Sequence, residues 1–182
     1  MPKTRRVEFP DFKALGKGME DLLHHLPEIA GISATNFFQD RFEQKGWIDK
    51  SGLESWEDRK NSSANGSTLH VTGFLKGAFD YTTGNNWVNV RNYAAYSSIH
   101  NEGGIINHPG GTYYIVIGPG KAVFINKTTA QSLKAKGRKV KKTKPHLIKI
   151  PQRQYMGHSD FYMQRLEKGY IDQTIKLTNK HL

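Results

Sequence analysis

At 182 residues, 36% hydrophobic and 24% charged, the chain is long enough to build a domain with a real core and too apolar for the disordered class. No apolar run approaches the roughly 20 residues that span a bilayer. The first residues, MPKTRRVEFPDFKALGKG, lack the apolar segment of a secretory signal, and the absence of cysteine excludes disulfides and thiolate zinc sites, which is compatible with an intracellular origin.

The formal net charge of +11 is unevenly placed. Residues 1–60 carry 10 Lys+Arg against 11 Asp+Glu, residues 61–149 carry 12 against 2, and residues 150–182 carry 5 against 3. The densest basic stretch is KAKGRKVKKTK, with Lys134, Lys136, Arg138, Lys139, Lys141, Lys142 and Lys144 and no acid. Such a run contacts phosphates or an acidic protein face, or stays a solvated loop.

In chain order, Phe12, Leu15, Met19, Leu22, Leu23 and Leu26 form a helical stripe capped by Asp11. Pro27 and Glu28 suit the first turn of a second helix, expected to run to about Lys45 with Ala34, Phe37, Phe38 and Phe42 buried and Gly46 as its stop. Residues 47–68 show no sustained period and read as an exposed connection with two aromatic anchors, Trp47 and Trp56. LHVTGFLKGAF, 69–79, reads as a short helical or turn-like piece burying Leu69, Phe74 and Leu75.

FDYTT and WVNVR around GNN predict one hairpin, and YYIVI and AVFIN around GPGK predict another. A short helix fits residues 93–99. HLIKIP restores apolar character, and Ser159 and Asp160 cap a last helix to about Asn179 with Tyr162, Leu166, Tyr170 and Ile175 inward. Helices, then hairpins, then a helix predict an α+β fold: N-terminal helices, an antiparallel sheet built from hairpins, and a C-terminal helix packed on the sheet.

The stretch SSIHNEGGIINHPGG, 97–111, invites a chemical reading. His100 and Glu102 share a face if the segment is a strand, and His108 offers a third ligand, but the spacing matches no metal motif. Between residues 61 and 149 the only acids are Asp80 and Glu102, and the chain has no GxSxG, no GxxxxGK[ST] and no HExxH. No catalytic residue, metal ligand or cofactor is assigned. Nucleic-acid binding remains open: Tyr113, Tyr114 and Phe124 lie near the basic run, and a stacking platform needs such aromatics on an exposed sheet face.

Several pieces, in order, resemble the phage virion morphogenesis family, which includes the tail-completion proteins of Mu-like and P2-like phages. An N-terminal helical region ends in Phe42 and Trp47. LHVTGFLKGAF resembles the family's L-x-x-(T/S)-G-x-L-x-x-S, with Leu69, Thr72, Gly73 and Leu75 matching. YAAYSSIHNEGG resembles Y-A-x-x-H-x-x-G-G through Tyr93, Ala94, His100, Gly103 and Gly104, with a longer tyrosine-to-histidine distance. IPQRQYMGHS resembles I-P-A-R-P-F-L-G-x-S through Ile150, Pro151, Arg153, Gly157 and Ser159, while Gln152, Gln154 and Tyr155 replace Ala, Pro and Phe.

The resemblance implies one tail-completion-like domain over 1–182, enlarged by a basic insertion at about 113–149. It implies a structural virion protein that caps the tail tube or joins tail to head as a ring, a hexamer by analogy with tail terminators. The implied partners are further copies of the chain, the tail tube, and neck or connector proteins, with no membrane; the basic segment would face passing DNA or an acidic partner. The implied location is the tail or neck of the virion, and the host cytoplasm during assembly. In this reading IHNEGG is an architectural turn, and it meets the Arg153 segment to hold the sheet to the last helix. A basic nucleic-acid-binding module is the alternative, and a metal-dependent hydrolase the third reading.

Overall fold

The computed structural model describes residues 10–58, 69 and 72–181. The elements up to residue 102 are α1 (Phe12–Gln44), β1 (Gly46–Asp49), β2 (Gly52–Ser55), α2 (Phe74–Gly77), β3 (Phe79–Thr83), β4 (Val88–Asn92) and α3 (Ser97–Glu102). There follow β5 (Gly104–His108), β6 (Tyr113–Gly118), β7 (Lys121–Ile125), α4 (Lys127–Ala135), β8 (Lys141–Lys142), β9 (His146–Ile150) and α5 (Asp160–His181). The fold is α+β and all strand pairs are antiparallel. The hairpins stay as separate small sheets, with orders β1-β2, β3-β4, β5-β9 and β7-β6-β8.

The chain forms two compact units, one from the segments up to Glu102 and from Gln152 onward, the other from Gly103–Pro151. In the first, the two expected N-terminal helices are one helix of 33 residues with Pro27 inside it. Asp11 caps it as expected, accepting from the Ala14 N–H at 2.9 Å. A mid-helix proline costs about 3 kcal/mol. Packing holds the helix through this point: α5 runs antiparallel along it and bonds it on both sides of Pro27. The Tyr170 hydroxyl donates to the Leu26 carbonyl at 3.2 Å and the Tyr162 hydroxyl to the Ala30 carbonyl at 3.3 Å. The helix stops at Lys45, which takes the left-handed conformation (φ 51°), and Gly46 already begins β1.

Residues 46–55 form a hairpin where sequence predicts a connection. Strands of four residues are too short to display alternation. The anchors hold: Trp47 is buried, and the Trp56 indole donates to the Gln154 carbonyl at 2.7 Å. The Ser/Asn/Gly cluster expected to end this connection lies outside the described residues. Phe74, expected buried, is exposed, as is Ile175 on α5; Leu75 is buried, and Leu177 rather than Ile175 meets α1 at Gly18. The short helix expected at 93–99 starts later, at Ser97.

Two aromatic clusters form the core. Ala34, Phe37, Phe38, Trp47 and Tyr162 make one, and Phe42, Leu75, Ala94 and Tyr155 the other, with Phe79 and Met156 touching both. All four α1 residues expected inside are there. Buried Arg41 joins them by laying its guanidinium 4.4 Å from the Phe37 ring centre and donating to the Phe37 carbonyl. Burial pulls its pKa down.

In the second unit the β5–β9 pair and the β6–β8 pair are joined into one ribbon. Gly111 donates to the Thr143 carbonyl and Thr143 to the Thr112 carbonyl, each at 2.9 Å. Between Gly104↔Ile150 and Tyr113↔Lys142 the register slips by one residue. Pro109, Gly110 and Gly111 absorb the slip, the glycines at φ 78° and 83°. A Cβ on Gly110 would lie 2.7 Å from backbone atoms of residues 143–145, whereas one on Gly111 would meet open space. Gly111→Ala therefore carries only the left-handed strain of about 1 kcal/mol, and Gly110→Ala adds a backbone clash. Amide exchange in β5 and β9 should accelerate clearly more in Gly110→Ala; equal protection in the two variants would refute this account of the slip.

The basic segment is not a plain loop. Asn126 caps α4 by accepting from the Thr129 N–H at 2.7 Å, and Lys141 and Lys142 pair with β6. The stretch 113–149, read as an insertion, lies within this second unit.

Candidate assembly site

Neighbouring motif positions of the first unit converge on the chain between Gln152 and α5. Leu75 and Ala94 are buried beside Tyr155 in the second cluster, and Leu69, with φ 59°, packs against it. Thr72 accepts from the Phe74 N–H, and Gly73 precedes α2 at φ 77°. Tyr93 lies outside on the surface, its hydroxyl donating to Asp80 at 2.7 Å under the Arg91 guanidinium.

The segment after Gln152 is bonded to α3 throughout. Arg153 N–H donates to the His100 carbonyl at 2.8 Å, and the Tyr155 hydroxyl to the Ser97 carbonyl at 2.9 Å. Asn101 Oδ1 accepts from both the Tyr155 and Met156 N–H groups at 3.0 Å. Arg153, itself buried, turns its fork toward the end of the β1–β2 hairpin, donating to the carbonyls of Glu57 (3.0 Å) and Asp58 (3.4 Å). Farther on, Gly157 holds φ 147° and Ser159 is buried, donating to the Ile48 carbonyl and accepting from Tyr162 N–H. Asp49 completes this cap by accepting from the N–H of Asp160 at 2.7 Å. Its carboxyl is held below the usual range, first by the Lys50 N–H and also by those of Asp160 and Phe161.

Asn101 and Asp49 are the residues that sequence reasoning misses here, while Trp56 is expected as an anchor without its partner Gln154. Only Asp49 carries a readable signal, as an acid at the end of a short strand. Asn101 looks like any polar residue at a helix end until its two partners, 54 and 55 positions away, are known.

His100 lies at this junction with its ring edge-on to Tyr96 and its Nδ1 buried without a hydrogen-bond partner. Burial first, and then the Arg153 charge, hold its pKa below the ordinary 6.5. The fold thus favours the neutral ring. As pH falls through the unfolded value the unfolded chain takes up the proton first, so stability is lost progressively toward the lower folded pKa. The urea midpoint should fall between about pH 7 and pH 5, and His100→Gln should flatten part of that slope. An identical slope in the variant would remove His100 from the account.

Gly103 (φ 73°) and Gly104 open the second unit, and Ile150 and Pro151 close it. His108, weighed as a metal ligand, stacks on His146 at 4.9 Å and accepts from the Gly110 N–H. Among the described residues no group of three His, Cys, Asp or Glu side chains is placed to hold a metal ion.

All seven basic residues of the 134–144 run are exposed. Lys134 sits in the last turn of α4, Lys136 ends it, Arg138 N–H donates to the Leu133 carbonyl, Lys139 precedes β8, Lys141 and Lys142 form β8, and Lys144 follows. The ammonium groups of Lys142 and Lys134 lie 4.7 and 5.6 Å from the Tyr113 ring centre. Lys142 above all, with Lys134 and Lys127, pulls the Tyr113 hydroxyl below its usual pKa.

Among the described residues no helix is long and apolar enough to cross a membrane. No curated protein and no solved structure matches the chain. The model of one family does match, over residues 34–175, a span that runs from the buried face of α1 into α5 and includes all of the motif positions above. The chain belongs to the phage virion morphogenesis family.

Proposed function

We propose that this virion-morphogenesis protein completes the tail, capping the tail tube or joining it to the head as a subunit of a ring, a hexamer by analogy with tail terminators. It acts by binding, at the tail or neck of the particle after assembly in the host cytoplasm, and makes or breaks no bond. One observation carries the reading: large apolar side chains stay exposed on both units, among them Leu53, Trp87, Phe124, Leu147 and Ile171. An assembly subunit needs such surfaces for its neighbours. Electron microscopy of particles from a lysate lacking the chain tests this. Filled heads beside detached or overlong tails are expected; intact, infectious particles would reject it.

A second reading, contact with passing DNA, is favoured by the Tyr114–Phe124 ring pair, 6.2 Å between centres and on the same strand face as Lys141. Binding to duplex that weakens steeply with salt would support it.

A further inference from the structure

We propose that the open face of the Gly103–Pro151 sheet docks onto the acidic β1–β2 hairpin of a second copy of this chain. This rests on the assembly reading above and names the contact that reading requires.

Strand register divides the sheet cleanly. Tyr114, Val116, Ala122, Phe124 and Lys141 share one face, and Tyr113, Ile115, Val123, Ile125 and Lys142 the other. Helix α4 lies on the second face, where Lys134 reaches over Tyr113 and Ala130 is buried. Among the described residues the first face has no such cover: Phe124 is 65% and Val116 53% exposed. In the adjoining ribbon Ile105 is 65% and Leu147 68% exposed. Ala130 is the single buried apolar residue of the unit among the described residues, so these side chains supply the area that another surface must cover.

Charge identifies that surface. Residues 103–151 carry ten Lys+Arg and no Asp or Glu, leaving 17 against 16 in the rest of the chain. The partner is therefore acidic. It also offers apolar contacts, which the outward-facing phosphates of duplex DNA do not. The chain itself has such a surface. Residues 10–58 hold ten acids against five Lys+Arg. At the β1–β2 hairpin, every residue of β2 is exposed, with Leu53 half-exposed and Glu54, Glu57 and Asp58 beside it. This is an apolar contact in an acidic rim, the reverse of Phe124 and Val116 in a basic one. Because the two surfaces differ and every copy carries both, the contact is heterologous and repeats until a ring closes.

The test is sedimentation of the purified full chain. The wild type should self-associate, less so as salt rises. Val116→Ser with Phe124→Ser should weaken self-association at least tenfold while leaving the circular dichroism unchanged. Glu54→Lys, Glu57→Lys and Asp58→Lys together should abolish it, as should Lys139→Glu with Lys141→Glu. Mixing those two charge-reversed chains should restore oligomers, because each supplies the surface the other has lost. Oligomers unaffected by these changes would overturn the proposal, as would a wild-type monomer that binds duplex DNA through the same lysines. Normal tails on particles built with the Val116→Ser, Phe124→Ser chain would also overturn the contact. Tail completion would still stand if particles lacking the chain altogether are defective.

Discussion

Arg153→Ala should lower the melting temperature by roughly 4–8 °C, the shift expected for about 2 kcal/mol in a chain of this size. The guanidinium is buried and donates to two backbone carbonyls, those of Glu57 and Asp58. Hydrogen bonds from a charged group contribute about 1.5–3 kcal/mol each, but Glu57 and Asp58 lie at the surface, where water replaces part of what is lost. The sum therefore falls below the roughly 3 kcal/mol that two such bonds would give if fully buried. Arg153→Lys should recover little, since a point charge on a flexible stem cannot span two carbonyls as a planar fork does. The effect should reach assembly as well, because Arg153 ties the end of the acidic hairpin to the chain entering α5. A melting temperature and particle yield equal to wild type would show that the fork has no structural role.

What the sequence discloses and what it hides divide along contact distance. Asp11 caps its helix three residues on, and Asn126 caps α4 in the same local way. The stripe Ala34, Phe37, Phe38 and Phe42 declares the inner face of α1 because its period is local. Pro27 argues locally for a break, and the local argument loses to packing against α5, whose contacts lie about 130 to 145 residues away. The β5–β9 pair is likewise invisible, since GIINH and HLIKI name no partner and pair across the whole of β6 to β8. The motif residues around Arg153 are readable as a resemblance, but the reason for them is not: the carbonyls that Arg153 serves belong to a hairpin that sequence reads as a connection.

Tyr155 shows how such a position divides into packing and polarity. It is among the largest fully buried side chains, its ring 4.9 Å from Phe42 and 6.0 Å from Phe79. Burial pushes its hydroxyl up to about 12, so it stays a donor to the Ser97 carbonyl across the working pH range. Tyr155→Ala removes the ring and leaves a cavity in the second cluster beside α3, a loss of about 3–5 kcal/mol and a fall in melting temperature on the order of 10 °C. Tyr155→Phe keeps the ring and leaves one carbonyl without its donor, a loss of about 1 kcal/mol. Urea denaturation of both variants decides the matter. A large loss in Tyr155→Ala with a small one in Tyr155→Phe means that the ring locks the segment to α3. Equal losses would mean that the hydroxyl bond holds the junction and the ring only fills it.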